Sequence, residues 1–108
     1  MTDIVSSLER LRARFDEPQM QAAFRGFHKA LLFTFPDLQR DFLLTINEDG
    51  SAALAEQSIA HPDVKVTMSS EVLAGILDRR VHPINAYMTR KLKVSGNMED
   101  LLRLQKIL

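Results

Sequence analysis

Apolar positions along this chain alternate between a helical and an extended rhythm. Ile4, Leu8, Leu11 and Phe15 recur at steps of four, three and four, which puts them on one face of a helix over 1–15. Glu9, Arg10, Arg12 and Arg14 fall mostly off that stripe, and Thr2 or Asp3 is placed to cap the start. Pro18 suits the first turn of a second short helix through Phe24, and Gly26 can end it. The period then becomes two. Leu31, Phe33 and Phe35 share one side of a strand, with Leu32 and Thr34 on the other, until Pro36-Asp37 breaks the run. Phe42, Leu44 and Ile46 repeat the pattern opposite Leu43 and Thr45. Asn47-Glu48-Asp49-Gly50 follows, and Asp-Gly is a strong hairpin signal. The next strand contains Ala52, Ala53 and Ala55, which give it poor β propensity. After the His61-Pro62 turn, Val64, Val66 and Met68 alternate with Lys65 and Thr67.

Helical spacing returns at Ser69-Ser70-Glu71, a hydroxyl cap with an acid in the first turn. Val72, Leu73, Ile76 and Leu77 form the stripe, and Asp78-Arg79-Arg80 closes the helix. Pro83 opens a short helix carrying Ile84, Tyr87 and Met88 on one side. Lys91-Leu92-Lys93-Val94-Ser95 alternates again, Gly96 turns the chain, and Asn97 caps a last helix bearing Met98, Leu101, Leu102, Leu104 and Leu108. The predicted order is α-α-β-β-β-β-α-α-β-α, with strands near 29–35, 41–47, 51–57, 63–69 and 91–95. One strand face is apolar and the other mostly polar, so helices should cover one side only. The expected class is α+β, a five-stranded, mixed but mainly antiparallel sheet. The helices before the fifth strand form a crossover that permits parallel pairing there.

With 108 residues the chain fits one domain, 1–108. Its 45% hydrophobic and 26% charged content suits a globular core. The absence of cysteine removes disulfides, thiolate metal sites and a cysteine nucleophile together. Lys+Arg and Asp+Glu are both 14, without the basic excess of a general nucleic-acid binder. The N-terminus lacks a signal-peptide pattern, and no apolar run approaches a membrane span, so a cytoplasmic location is the default expectation.

Catalytic signatures are poorly represented. There is no G-x-S-x-G, Walker loop or H-E-x-x-H. His28, His61 and His82 are far apart, and the last two precede prolines, where turn or cap roles fit better than metal ligation. Glu48-Asp49 could be a carboxylate pair for acid–base work, but the hairpin explains it better. No catalytic residue, metal or cofactor is therefore expected.

Residues His82-Pro83-Ile84-Asn85-Ala86-Tyr87-Met88-Thr89-Arg90-Lys91-Leu92-Lys93-Val94-Ser95-Gly96-Asn97-Met98, continued by Leu104-Gln105-Lys106, resemble the signature of the sterol carrier protein 2 family, also called non-specific lipid-transfer proteins. That signature is a Pro, then Ala and an aromatic, then Gly-Lys-Leu-Lys-hydrophobic, then Gly-Asn/Asp-Met. Val64-Lys65-Val66-Thr67-Met68-Ser69 resembles the strand and cap that precede it. The resemblance implies helices enclosing an apolar tunnel against the sheet, and a ligand such as a fatty acid, fatty acyl-CoA, sterol or isoprenoid lipid. Two positions depart from the pattern: Arg90 and Arg79 stand where the family usually has glycine. With Leu108 as the last residue, the family's tail over the tunnel mouth is expected to be missing, and Lys106-Ile107-Leu108 does not match its peroxisomal tripeptide.

On that resemblance, Phe33, Phe42, Leu44, Val66, Leu73, Leu77, Ile84, Tyr87, Met88, Val94 and Leu102 are the expected ligand-binding residues. Met88 would give the adaptability that a promiscuous apolar surface needs. Composition alone does not separate such a pocket from a solid core, which would use Phe24, Phe27, Phe33, Phe35 and Phe42 equally well. Charge is segregated: residues 37–63 carry six acids against Arg40, and 79–93 carry Arg79, Arg80, Arg90, Lys91 and Lys93 against none. Solvated surfaces account for this simply. The functional reading places Arg79, Arg80, Arg90 and Lys91 at the tunnel entrance, meeting an anionic head group or membrane. Three functions follow: a lipid carrier, an accessory module presenting lipid to a partner enzyme or dimerising through an apolar face, and, ranked last, an enzyme on acyl-CoA. Exposed apolar surface near Leu104, Ile107 and Leu108 would favour a homodimer.

Overall fold

A computed structural model describes residues 3–107, the side chains of 104 and 105 excepted. Helix α1 spans Ile4–Ala13 and runs into a 3₁₀ turn over Arg14–Asp16, so the first predicted helix tightens before it ends. Asp3 occupies the N-cap position, but its side chain makes no cap hydrogen bond; Thr2 lies outside the described residues. Helix α2 is Pro18–Phe24. Strands β1 (Lys29–Phe35), β2 (Arg40–Ile46), β3 (Ala52–Ala55) and β4 (Val64–Met68) follow. Then come α3 (Ser70–Leu77), α4 (Pro83–Met88), β5 (Leu92–Ser95) and α5 (Met98–Ile107). The alanine-rich third strand is shorter than its predicted span.

The α+β architecture is as expected, with one five-stranded sheet in the order β3-β2-β1-β4-β5 and helices packed on one face. The position of the parallel pair differs from expectation. It joins β1 to β4, with Phe33 beside Val66, whereas β5 runs antiparallel to β4, with Met68 beside Leu92. The reason is geometric. Helices α3 and α4 go out and return the chain to the end of β4 where they began, so β5 must run back down. It is the extended connection over 56–63 that crosses the sheet. Asp63 anchors its landing, its N–H donating to the Ala30 carbonyl at 3.0 Å and its carboxylate accepting the Ala30 N–H at 2.8 Å.

The helix-facing side chains of the sheet, Leu31, Phe33, Phe35, Phe42, Leu44, Ile46, Val64, Val66, Met68 and Leu92, form one buried cluster with Leu8, Leu11, Phe15 and Phe24. Phe15, Phe24 and Phe27 pack edge to face at 5.3 Å centroid spacings. The Asn47–Ser51 hairpin closes with the Asn47 N–H on the Ser51 carbonyl at 2.8 Å. Asp49 accepts from both the Ser51 hydroxyl and N–H, which holds its carboxyl below the usual range. Glu48 and Asp49 therefore sit in a turn that an ordinary hydrogen-bond network explains. Gly50, at φ 90°, is demanded by space as well as conformation, since a Cβ there would lie 2.1 Å from the Gln21 carbonyl oxygen.

Helices α3 and α4 both end in Schellman turns. Arg79 N–H donates to the Ile76 carbonyl at 3.1 Å and Arg80 N–H to that of Gly75 at 2.8 Å. Arg90 N–H donates to Tyr87 at 3.2 Å and Lys91 N–H to Ala86 at 2.8 Å. Arg79 and Arg90 hold the left-handed conformation, at φ 62° and 63°, the region in which a glycine normally sits. The backbone of these two turns thus keeps a glycine shape while an arginine occupies it, at a cost of roughly 1–2 kcal/mol each.

Candidate functional site

The segment from α3 to α5 carries the residues whose placement bears on function. Ser69 caps α3, its hydroxyl accepting the Val72 N–H at 3.2 Å. Leu73, Ile76 and Leu77 are buried on the face turned inward. Gly75 lets the chain fold back on the helix, because a Cβ there would meet the Val81 Cγ2 at 2.6 Å. His82 then caps α4, its Nδ1 accepting the Ile84 N–H at 3.2 Å, and Pro83 fills the first turn. Only Ala86 of α4 is buried.

Helix α5 is fixed along its length. Asn97 Oδ1 accepts the Asp100 N–H at 2.9 Å, and the buried Asp100 carboxylate faces Lys29 Nζ at 3.4 Å. Arg103 lies over the Phe27 ring at 5.3 Å. Near the end, Ile107 is fully buried and its carbonyl accepts from the Arg14 guanidinium. The expectation of exposed apolar surface at Ile107 is thereby corrected: the helix turns this residue into the core. Leu108 and the Leu104 side chain lie outside the described residues.

The eleven expected ligand residues fall into two groups. Phe33, Phe42, Leu44, Val66, Leu73 and Leu77 come together inside the packed cluster. Ile84, Tyr87, Met88 and Leu102 do not join them and are 48%, 54%, 75% and 57% exposed. Val94, which pairs with the core residue Val66, is half-buried between the two groups. Ile84, Tyr87 and Met88 lie at i, i+3 and i+4, so they share one face of α4. Met98 was not among the expected residues. It is 70% exposed and sits four positions before Leu102, on the same face of α5. That spacing was the signal available to find it.

A groove of about 680 Å³ opens beside this region, between the 3₁₀ turn, the α3–α4 loop and the end of α5. Arg79 and Arg80 line it, as do two cations that sequence reasoning did not place there, Arg14 and Lys106. Among the described residues Glu17 is its one carboxylate, and Met20, Ile76, Val81 and Pro83 supply apolar wall. Arg90 and Lys91 sit at the far end of α4 and do not line it. Partial burial, then repulsion from Arg10 and Arg79, lower the pKa of Arg14. Asp78 is held below the usual carboxylate range chiefly by its hydrogen bond from Arg10 at 3.2 Å, and secondarily by Arg80. Among the described residues no group of three His, Asp or Glu side chains could hold a metal ion, and no helix is long and apolar enough to cross a membrane.

Against known proteins, the model of the SCP-2 sterol transfer family matches residues 8–108. No curated protein matches the chain. Among solved structures, sterol carrier protein 2 like 2 from Aedes aegypti has a TM-score of 0.76 at 18% identity, covering 97% of this chain and 95% of that one. The palmitated form of the same mosquito protein, solved in solution, gives 0.74 at 18% identity over 98% and 94%. The stereoselective inverting sec-alkylsulfatase Pisa1 from Pseudomonas sp. gives 0.69 at 24% identity, covering 82% of this chain but only 14% of that enzyme. At these identities the likeness to each solved structure establishes the fold.

Proposed function

The chain belongs to the SCP-2 sterol transfer family, a family of lipid-binding domains, and from that premise we propose that it holds one lipid-like apolar ligand as a carrier or as a lipid-presenting accessory protein, without catalysing a reaction. The ligand classes that fit are a fatty acid, a fatty acyl-CoA, a sterol or an isoprenoid lipid. The observation that carries the reading is the exposed large apolar side chains on two helices, Ile84, Tyr87 and Met88 on α4 and Met98 and Leu102 on α5. Water-facing patches of large apolar side chains mark contact sites. The palmitated relative supports a fatty chain as one occupant of this fold.

Energetics favour entry between α4, β5 and α5. An empty cavity of roughly 300 Å³, the small end of ligand pockets, would cost on the order of 7 kcal/mol at about 24 cal/mol per Å³. That is comparable with the whole stability of a domain, about 5–15 kcal/mol. Phe33, Phe42, Leu44, Val66, Leu73 and Leu77 are all buried in one cluster, and filling that layer with side chains would avoid the cost. A chain that covers Met88, Tyr87 and Leu102 and displaces Val94 makes the fewest demands on the packing.

Melting the delipidated protein with and without palmitate, palmitoyl-CoA or a sterol tests the reading. Ligand at about 100 times its dissociation constant should add about 2.7 kcal/mol. Met88→Arg, a change at an exposed position, should abolish the shift and leave the fold intact. No shift with any lipid class, together with no lipid in native mass spectra, would contradict it. A second reading, self-association through the same apolar side chains, is favoured if sedimentation shows a dimer and no lipid binds. Turnover of palmitoyl-CoA would favour an enzyme.

A further inference from the structure

The groove between the 3₁₀ turn, the α3–α4 loop and the end of α5 has the wrong walls for a fatty chain. Ligand pockets of about 300–1,000 Å³ are usually lined mostly by apolar side chains with a few polar groups. This one, at about 680 Å³, gathers Arg14, Arg79, Arg80 and Lys106 against, among the described residues, the single carboxylate of Glu17. Asp78 pairs with Arg10 at 3.2 Å and, of the groove's cations, with Arg80 at 3.4 Å. Among the described residues the charge is only partly compensated: Arg14 is partly buried, bonded to the neutral Ile107 carbonyl, repelled by Arg10 and Arg79, and attracted by Glu17. Arg79 is also the residue that keeps a left-handed backbone at φ 62°, where glycine would be easier.

We propose that this groove binds a phosphoryl or pyrophosphoryl anion, with Arg14, Arg79 and Lys106 as its principal cations. A carboxylate carries one charge and two acceptor oxygens. A phosphate or diphosphate carries more charge and more acceptors, which suits several converging cations and the forked guanidinium donors. The site does not depend on the lipid reading. The anion is either free in solution or the charged end of an amphiphile whose chain reaches the exposed faces of α4 and α5.

Calorimetric titration with sodium pyrophosphate at constant ionic strength, and with decyl phosphate below its micellar concentration, tests the proposal. One equivalent of pyrophosphate should bind, with affinity reduced at least tenfold in Arg79→Gly and in the double variant Arg14→Gln, Lys106→Gln. Arg79→Gly fits the left-handed backbone, so its melting temperature should rise while its affinity falls, and unfolding cannot explain the loss. Arg90→Gly relieves the same backbone outside the groove and should leave affinity unchanged. Decyl phosphate binding tighter than pyrophosphate assigns the lipid-borne source; equal affinity assigns the free anion. Absence of saturable pyrophosphate and decyl phosphate binding, or binding that Arg79→Gly leaves intact, overturns the proposal.

Discussion

The helical layer treats the two edges of the sheet differently. Toward β3, α1 packs on α3 and on the strand, and Leu8, Leu11, Phe15 and Phe24 close over Phe33, Phe35 and Leu44 without a gap in burial. Toward β5, α4 touches the strand through Ala86 and turns Ile84, Tyr87 and Met88 outward, while α5 exposes Met98 and Leu102. Both edges are supplied with large apolar side chains, so composition does not explain the contrast. For α4 helix length contributes: α1 is 10 residues and presents a full stripe, whereas α4 is 6 and buries one side chain; α5 is as long as α1 and still leaves Met98 and Leu102 exposed. The lesson is that one edge is closed by large side chains while the other leaves large apolar side chains facing water.

Truncations at the two edges should differ most. Leu73→Ala, in the closed layer, is expected to cost about 2–5 kcal/mol in urea unfolding. Tyr87→Ala, on the open edge, should stay within about 0.5 kcal/mol. Equal costs would mean that the two edges are packed alike.

A smaller effect of opposite sign is expected at the Schellman turns. Arg90→Gly and Arg79→Gly should each stabilise by about 1 kcal/mol, since the left-handed cost disappears while glycine loses some unfolded-state advantage. In a domain of this size that is a rise of roughly 4–8 °C in melting temperature. A fall would show that the arginine side chains hold these turns through contacts that outweigh the backbone.

The smallest effect is the pH response of the ion pairs outside the core. Asp78 ties the end of α3 to Arg10 of α1, and Glu56 pairs with Arg40 at 2.8 Å; both carboxyls are depressed by these hydrogen bonds. Their stabilisation is complete above the ordinary carboxylate value of ~4 and is lost as pH falls through the lower folded value. Asp78→Asn should therefore lower the melting temperature slightly at pH 7 and not at pH 2. A difference that persists at pH 2 would point to packing instead of charge.

Most of the fold was legible because alternation and caps are local signals. The strand pattern Leu31, Phe33, Phe35 and the Ser69 and Asn97 caps lie where the sequence rhythm places them. The location of the parallel pair was not legible, because it depends on where the unpatterned stretch 56–63 lands, and Asp63 reveals that only once it meets Ala30. For the candidate site, periodicity finds which residues share a face but not whether another element covers that face. Phe33 and Met88 look alike in that respect, yet one is buried and the other exposed. The groove was half legible: Arg79 and Arg80 belong to a visible basic run, whereas Arg14 and Lys106 reach it from opposite ends of the chain.

On the proposed function a lipid binds on the open edge beside α4 and α5 and leaves the closed edge unchanged. Methionine methyl groups report on both. Met88 and Met98 stand exposed on the open edge, Met68 is buried in the sheet core, and Met20 lines the cationic groove. Titrating palmitate into protein labelled with methyl-¹³C methionine should move the Met88 and Met98 signals saturably and leave Met68 in place. Movement of Met68 with Met88 and Met98 still would place the ligand inside the packed layer and contradict the account.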